Sequence, residues 1–333
     1  MKILVTTVPG IEKIVVQEIG ELCPEAHTYV ASSSGRVTAE LPENCLARII
    51  IRIHSAENVY LLLGEADKLE EVGEERALHT KELIAWHKYF SVRAERITKD
   101  IETTSPEIAS KIGRIIQEKT GLEVSLDFPD IILYVEYEAG RYRYGVYLTH
   151  AGNLRDRPYR RYIHRSALNP VLAYAMCRIA SPREKLWDPF CGSGTIPLEC
   201  LSVVPGLKAL CSDVNSDFIR GALENSRSIN KALLLFTCDI GHAPVRNFTV
   251  DAIVTNPPFG IREKAVGGLK KSYEALFRLA RHNLEEDGKL VVLTTHKRLV
   301  EEISRNMGFD TTGTWRIYEG GLTSFIYKLQ RAR

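Results

Sequence analysis

Asn256-Pro257-Pro258-Phe259 joins three side-chain types that together can hold a flat amine. The asparagine amide offers an acceptor oxygen, each proline a stiffly held carbonyl, and the phenylalanine a flat apolar face. The run ahead of it, Val250-Asp251-Ala252-Ile253-Val254-Thr255, reads as a strand. Neither proline has a backbone N–H, so the strand must stop there. A rigid loop then presents Asn256 and Phe259 at the strand's carboxyl end, where open α/β sheets place ligands. Such a loop suits the task of holding a planar base by its exocyclic amino group.

A second constellation lies upstream. Asp188-Pro189-Phe190-Cys191-Gly192-Ser193-Gly194-Thr195 follows an expected strand and opens an expected helix. Glycines let the backbone approach a ligand without a Cβ in the way, and helix N–H groups lie beyond them. The next two strands end in acids: Asp213, followed by Val214, and Asp239, followed by Ile240. A carboxylate after the second strand suits ribose hydroxyls, and one after the third can accept from an adenine amine. A dinucleotide fingerprint would want a third glycine where Pro197 stands, and there is no Gly-Lys-Ser/Thr for a phosphate loop. The expected cofactor has adenosine and little phosphate charge, which fits S-adenosylmethionine. Its expected contacts are Asp188, Pro189, Cys191, Gly192, Gly194, Thr195, Asp213, Val214, Asp239, Ile240 and Asn256.

With these motifs in register, residues from about Ala167 onward resemble Rossmann-like class I methyltransferases. The fourth-strand loop resembles the [Asn/Asp/Ser]-Pro-Pro-[Tyr/Phe/Trp] motif of enzymes that methylate amino nitrogens. The resemblance implies that Asn256, Pro257 and Phe259 are catalytic: two carbonyls orient the amine and the ring stacks on an extruded base. Cys191 reads as a small filler beside the cofactor, not as the nucleophile of a carbon-5 enzyme. His296 reads as a solvated loop histidine. Gly260–Lys271 reads as a basic lid, with Arg262 at the arginine position of the pattern Asn-Pro-Pro-[Tyr/Phe]-Gly-x-Arg.

The positioning elements follow from periodicity and punctuation. In the carboxyl-terminal half, strands are expected at 185–188, 208–213, 233–239, 251–255 and 289–295, with helices at 195–203, 216–229, 271–284 and 297–307. Two β-rich runs, 309–315 and 324–329, meet through Gly320-Gly321 and fit an antiparallel edge pair. This is a mostly parallel, doubly wound sheet. The amino-terminal half reads as two α+β modules. The first has strands at 3–7 and 35–41, a helix at 11–22, and an apolar run at 46–53 that periodicity leaves undecided. The second has strands at 59–63 and 88–96, a helix at 74–87, and a helix to Lys119 capped by Ser105 with Gly121 as its stop. A hairpin of 131–138 and 142–149 turns at Ala139-Gly140.

The chain has 333 residues and a net charge of +2, and that charge is unevenly placed. Seven arginines fall between Arg141 and Arg165 against one acid, Asp156. A neutral protein with one concentrated basic segment points to a polyanion at one place. Arg155, Arg157, Arg160, Arg161 and Arg165 interleave with Tyr159 and Tyr162, which suits phosphate pairing and base stacking on RNA. The seven scattered cysteines form no C-x-x-C pair, so neither a disulfide framework nor a metal site is expected. No run approaches the length of a membrane span. A reduced, cytoplasmic monomer without metal is expected.

The basic segment also resembles the end of a THUMP domain. Gly152, Leu154, Arg157, Tyr159 and Arg160 match at slightly shortened spacing, with Pro158 in place of the usual glycine. Pro9-Gly10-Ile11-Glu12 resembles the start of the ferredoxin-like domain that precedes THUMP, and 166–173 resembles the helix that leads into the catalytic domain. The implied organisation is a ferredoxin-like module at 1–56, THUMP at 57–152, a basic linker at 153–168 and a Rossmann-like domain at 169–333. The implied activity is methylation of guanine N2 in tRNA, with THUMP holding the 3′ end and Asn256 favouring the enzymes that modify position 6. Guanine 10 of tRNA, a ribosomal guanine, adenine N6 in DNA, and an RNA-binding adenosylmethionine sensor stay as alternatives.

Overall fold

The computed structural model describes residues 1–30, 34–74, 85–149, 153–243, 249–260 and 268–332. The chain forms two compact units. One comprises Met1–Thr6, Val16–Ser32 and Arg36–Leu154; the other comprises Thr7–Val15, Ser33–Gly35 and Arg155–Arg333.

The first unit is built on one eight-stranded sheet. Its strands are β1 (Lys2–Thr6), β2 (His27–Val30), β3 (Arg36–Glu40), β4 (Asn58–Ala66), β5 (Tyr89–Arg96), β6 (Glu123–Val124), β7 (Ile131–Glu138) and β8 (Arg141–Tyr147). They lie in the order β2-β3-β1-β4-β8-β7-β5-β6. The strands of the two expected modules are thus hydrogen-bonded into one sheet, through β1 and β4 with Lys2 opposite Leu62. β2 has no apolar alternation and three of its four residues are exposed, which is why the sequence gives no sign of it. The undecided run resolves as helix α2 (Glu43–Arg52), which follows helix α1 (Glu12–Leu22). Cys45 and Ile49, four apart, are its buried positions, while Ile51 is exposed. Of the helix expected at 74–87, residues 75–84 lie outside the described residues; α3 (Leu69–Glu74) precedes them and 85–86 is a turn.

Helix α4 (Ser105–Thr120) begins one residue earlier in its cap than the sequence suggests. Thr104, not Ser105, is the N-cap, and the Glu107 carboxylate accepts from its N–H at 2.7 Å and its hydroxyl at 2.8 Å. Gly121 closes it in the left-handed conformation, as expected.

The second unit holds a seven-stranded sheet. Its strands are β9 (Lys185–Asp188), β10 (Lys208–Asp213), β11 (Leu233–Thr237), β12 (Val250–Thr255), β13 (Leu284–Thr294), β14 (Phe309–Glu319) and β15 (Leu322–Arg331). The order is β11-β10-β9-β12-β13-β15-β14. The first five are parallel, and β15 is antiparallel to both of its neighbours. Helices α5 (Pro170–Ala180), α6 (Thr195–Val203), α7 (Ser216–Ser228), α8 (Leu269–Asn283) and α9 (Lys297–Asn306) accompany it. Both faces are covered. Ala252 and Val254 of β12 pack with α5 and α6, while Ile253 packs with α8 and α9. That is why the strand reads as a continuous apolar run. Buried Asp251 interrupts it for a structural reason: its carboxylate accepts from the N–H groups of Arg183, Glu184 and Lys185, at 2.6 to 2.7 Å, and fixes the start of β9.

The cysteine expectation needs correction. Cys23 is bonded to Cys45, and Cys191 to Cys211. The second bond follows from topology. β9 and β10 are parallel neighbours with Asp188 opposite Cys211, so the loop after β9 folds Cys191 back over β10. Neither pairing has a spacing that could announce it in sequence.

Candidate active site

The strand order reverses between β9 and β12, and the loops that leave these strands carry the chemistry. After β9, the chain turns through Gly192 and Gly194 and enters α6. Gly194 is the N-cap at φ 81°, where any side chain would be strained. A Cβ on Gly192 would lie 2.7 Å from His164 Nε2. Asp213, at the end of β10, accepts from Gly192 N–H at 3.0 Å and from Asn215 N–H at 2.9 Å. The carboxylate expected to meet a ribose therefore also shapes the glycine loop. Asp239 accepts from Gly241 N–H at 2.8 Å and caps the single 3₁₀ turn Ile240–His242.

Asp188 is wholly buried and accepts from the Thr255 hydroxyl at 2.7 Å and Phe190 N–H at 3.2 Å. Burial raises its pKa to about 7; these two hydrogen bonds pull it down, and the charge of Asp213 adds to the rise. Because Thr255 is the last residue of β12, this bond also locks the glycine loop to the Asn256 loop.

In that second loop Pro257 is buried and Phe259 is half-buried against the apolar layer of α5 and α6. Asn256 Oδ1 is buried and has no hydrogen-bond partner among the described residues. An unmet buried acceptor is costly, and it sits where an amine was expected. His296 is not the solvated residue the sequence suggested. Its Nε2 lies 2.9 Å from the Phe259 carbonyl. A carbonyl can only accept, so Nε2 carries the proton and the ring steadies the loop.

One cavity of about 600 Å³ collects these groups. Asp188, Pro189, Cys191, Gly192, Thr195, Asp213, Val214, Asp239, Ile240, Asn256, Pro257 and Phe259 all line it. Gly194 does not; it turns toward Ala222 and Leu233. The wall also includes residues that sequence reasoning missed: His164, Asn169, Phe218, and the turn Glu319–Leu322 between β14 and β15. Gly320-Gly321 was the one available signal, and it said only that two strands meet.

The basic segment divides. Arg155 and Arg160 line the cavity, and Arg161 and Arg165 are exposed. Arg157 and Tyr159 turn inward, which corrects their expected RNA contacts. Arg157 pairs with buried Glu199, Nε to Oε1 at 3.0 Å and Nη2 to Oε2 at 3.3 Å, with 9% of its side chain exposed. Tyr159 donates to the same carboxylate at 2.6 Å and is 3% exposed, so its ring has no face for a base. Asn225, also buried, clasps the segment: its Oδ1 accepts from Arg161 and Tyr162 N–H, and its Nδ2 donates to the carbonyls of Tyr162 and Ser193. His164 stacks on Phe218 at 4.2 Å. The basic segment is thereby bound to the glycine loop. Arg262 lies outside the described residues.

Residues 157–324 match the family of RMKL-like methyltransferase domains. The chain belongs to that family. Residues 73–142 of this methyltransferase match the THUMP domain as well. A tRNA (guanine(6)-N2)-methyltransferase of Archaeoglobus fulgidus is 27% identical, over 96% of this chain and 90% of the relative. Its counterpart in Thermus thermophilus is 28% identical over 98% of both. The crystal structure of TrmN from Thermus thermophilus superposes with a TM-score of 0.86 over 99% of both chains, at 27% identity. The resemblance read from the motifs and the expected α/β architecture therefore hold.

Proposed function

We propose that this methyltransferase transfers a methyl group from S-adenosylmethionine to the exocyclic N2 of a guanine in tRNA. Guanine 6 of the acceptor stem is the favoured position, since relatives matched over nine-tenths or more of both chains are named for it. The observation that carries the reading is the buried Oδ1 of Asn256, without a partner among the described residues, in a cavity shared with the glycine loop.

The residues present fit the donor. The glycine loop supplies a cradle, Asp213 has acceptor capacity for ribose hydroxyls, and Asp239 for an adenine amine. When bound, the donor supplies an electrophilic methyl group. The chain's own residues do the rest. Asn256 Oδ1 and the Pro257 carbonyl accept the two amino hydrogens and aim the nitrogen lone pair at the donor. Phe259 stacks on the extruded base. His296 holds the Phe259 carbonyl, and hence the loop, in place. Arg155, Arg160, Arg161 and Arg165 pair with phosphates, and the THUMP-like part holds the tRNA end. The protein is read as a cytoplasmic monomer; no described helix is long and apolar enough to cross a membrane.

The test is transfer of labelled methyl to tRNA with nucleoside analysis and mapping of the site. Labelled N2-methylguanosine at position 6 supports the reading. Labelled N6-methyladenosine, or no label in any RNA, rejects it. Label at guanine 10 keeps the chemistry and moves the site.

A further inference from the structure

Asn256 and Pro257 can hold an amine, but adenine, cytosine and guanine all carry one. Guanine differs at the ring nitrogen beside its amine: N1 bears a hydrogen, whereas the neighbouring nitrogens of adenine and cytosine are bare acceptors. A second acceptor fixed on the base side of Asn256 would select guanine.

Among the described residues, four carboxylates line the cavity: Asp188, Asp213, Asp239 and Glu319. Sheet order separates them. Asp188 ends β9, Asp213 ends β10 and Asp239 follows β11, all on one side of β12. Glu319 ends β14, on the other side. β14 runs in the same direction as β12, because β15 is antiparallel to β13 and β14 alike. Its carboxyl end therefore emerges at the same edge as Asn256, away from the adenosine-type acids.

Glu319 is also held in one orientation. Asn169 is the N-cap of α5, and its Oδ1 accepts from Val171 N–H at 3.0 Å. This fixes the amide, so Nδ2 must face Glu319, where it donates to Oε1 at 2.7 Å. The other oxygen, Oε2, makes no hydrogen bond with a described residue. The cavity thus has a steadied carboxylate with acceptor capacity beyond the amine-holding loop.

We infer that Glu319, positioned by Asn169, accepts the N1–H of the target base and makes the site selective for guanine. This rests on the proposed methylation of guanine N2. A carboxylate rejects a base that presents a lone pair at that point, because two acceptors would face each other.

The test uses the full chain and tRNA carrying either guanine or 2-aminopurine at the position the wild type methylates. 2-Aminopurine keeps the amine and has a bare N1. The wild type should prefer guanine by roughly 100-fold or more in kcat/KM. Glu319→Gln, which can turn an NH₂ toward a bare N1, should lose about 10- to 100-fold on guanine and lose nothing on 2-aminopurine. Its affinity for adenosylmethionine should be unchanged. An equal fall on both bases, or a loss that tracks weakened donor binding, overturns the inference. So does a wild type that accepts both bases equally, a result that needs no variant. Failure of the wild type to methylate any guanine N2 would instead reject the function on which the inference rests.

Discussion

The Asn256 loop and the basic segment at 153–165 are the two most suggestive stretches of the chain, and they behave differently. In the loop, two prolines leave the backbone little choice, so a side chain expected to face a ligand does face the cavity with its acceptor unmet. In the segment, nothing in the order Arg155-Asp156-Arg157-Pro158-Tyr159-Arg160-Arg161 says which arginine points inward. Arg157 and Tyr159 are consumed by Glu199, an acid 42 and 40 positions away in sequence. A motif that dictates its own backbone can be read residue by residue. A charge cluster can be read only as a cluster.

The largest effect should come from Asn256→Ala. Removing one transition-state acceptor should lower kcat by about 10²- to 10³-fold. Affinity for adenosylmethionine, measured by calorimetry, should stay within a few-fold. Loss of both would show that the loop is structural and erase the contrast.

Next comes Arg157→Ala, which should act on folding and not on RNA. It leaves buried Glu199 with the Tyr159 hydroxyl but without the Arg157 charge, at a cost of about 3–5 kcal/mol. Thermal unfolding should reveal this, while the folded fraction binds tRNA as before. Arg160 at the cavity wall and the exposed Arg161 and Arg165 should do the opposite. Replacing Arg160, Arg161 and Arg165 together should leave stability almost unchanged and weaken tRNA binding by about 10-fold or more. The slope of log affinity against log salt should fall by about two to three. If Arg157→Ala weakened RNA binding as much as the triple variant at equal stability, the division of the segment would be wrong.

The same contrast explains what was legible in sequence. Strands β9, β10 and β12 announced themselves because both faces of the sheet are covered there and turn residues bound each strand. Their order brings the glycine loop and Asn256 together, so the donor side of the site could be named from local patterns. The acceptor side could not. Glu319, Asn169 and His164 come from a turn, a helix cap and a linker, and only the tertiary fold makes them neighbours. The same holds for Cys191 and Cys211, joined by strand pairing. His296 carries no local sign that it holds the Phe259 carbonyl.

The smallest effect separates the two regions by pH. Asp188 ties the glycine loop to Thr255 and has its pKa raised to about 7 by burial, whereas an unfolded aspartate titrates near 4. Between those values the folded protein holds a proton that the unfolded chain has released. Stability should therefore decline as pH rises through that window. Asp188→Asn should flatten the decline, read by thermal unfolding at pH 5 and pH 8. Donor binding should show the reverse sign. A cationic donor beside Asp188 favours the ionised carboxylate, so affinity for adenosylmethionine should climb up to about tenfold per pH unit below 7 and level off above it. Binding of tRNA to the outward arginines should not share that inflection, since an arginine guanidinium stays charged throughout the range. A common inflection for both ligands would mean that the Asn225 clasp carries the protonation of Asp188 from the glycine loop to the basic segment. The two regions would then act as one site.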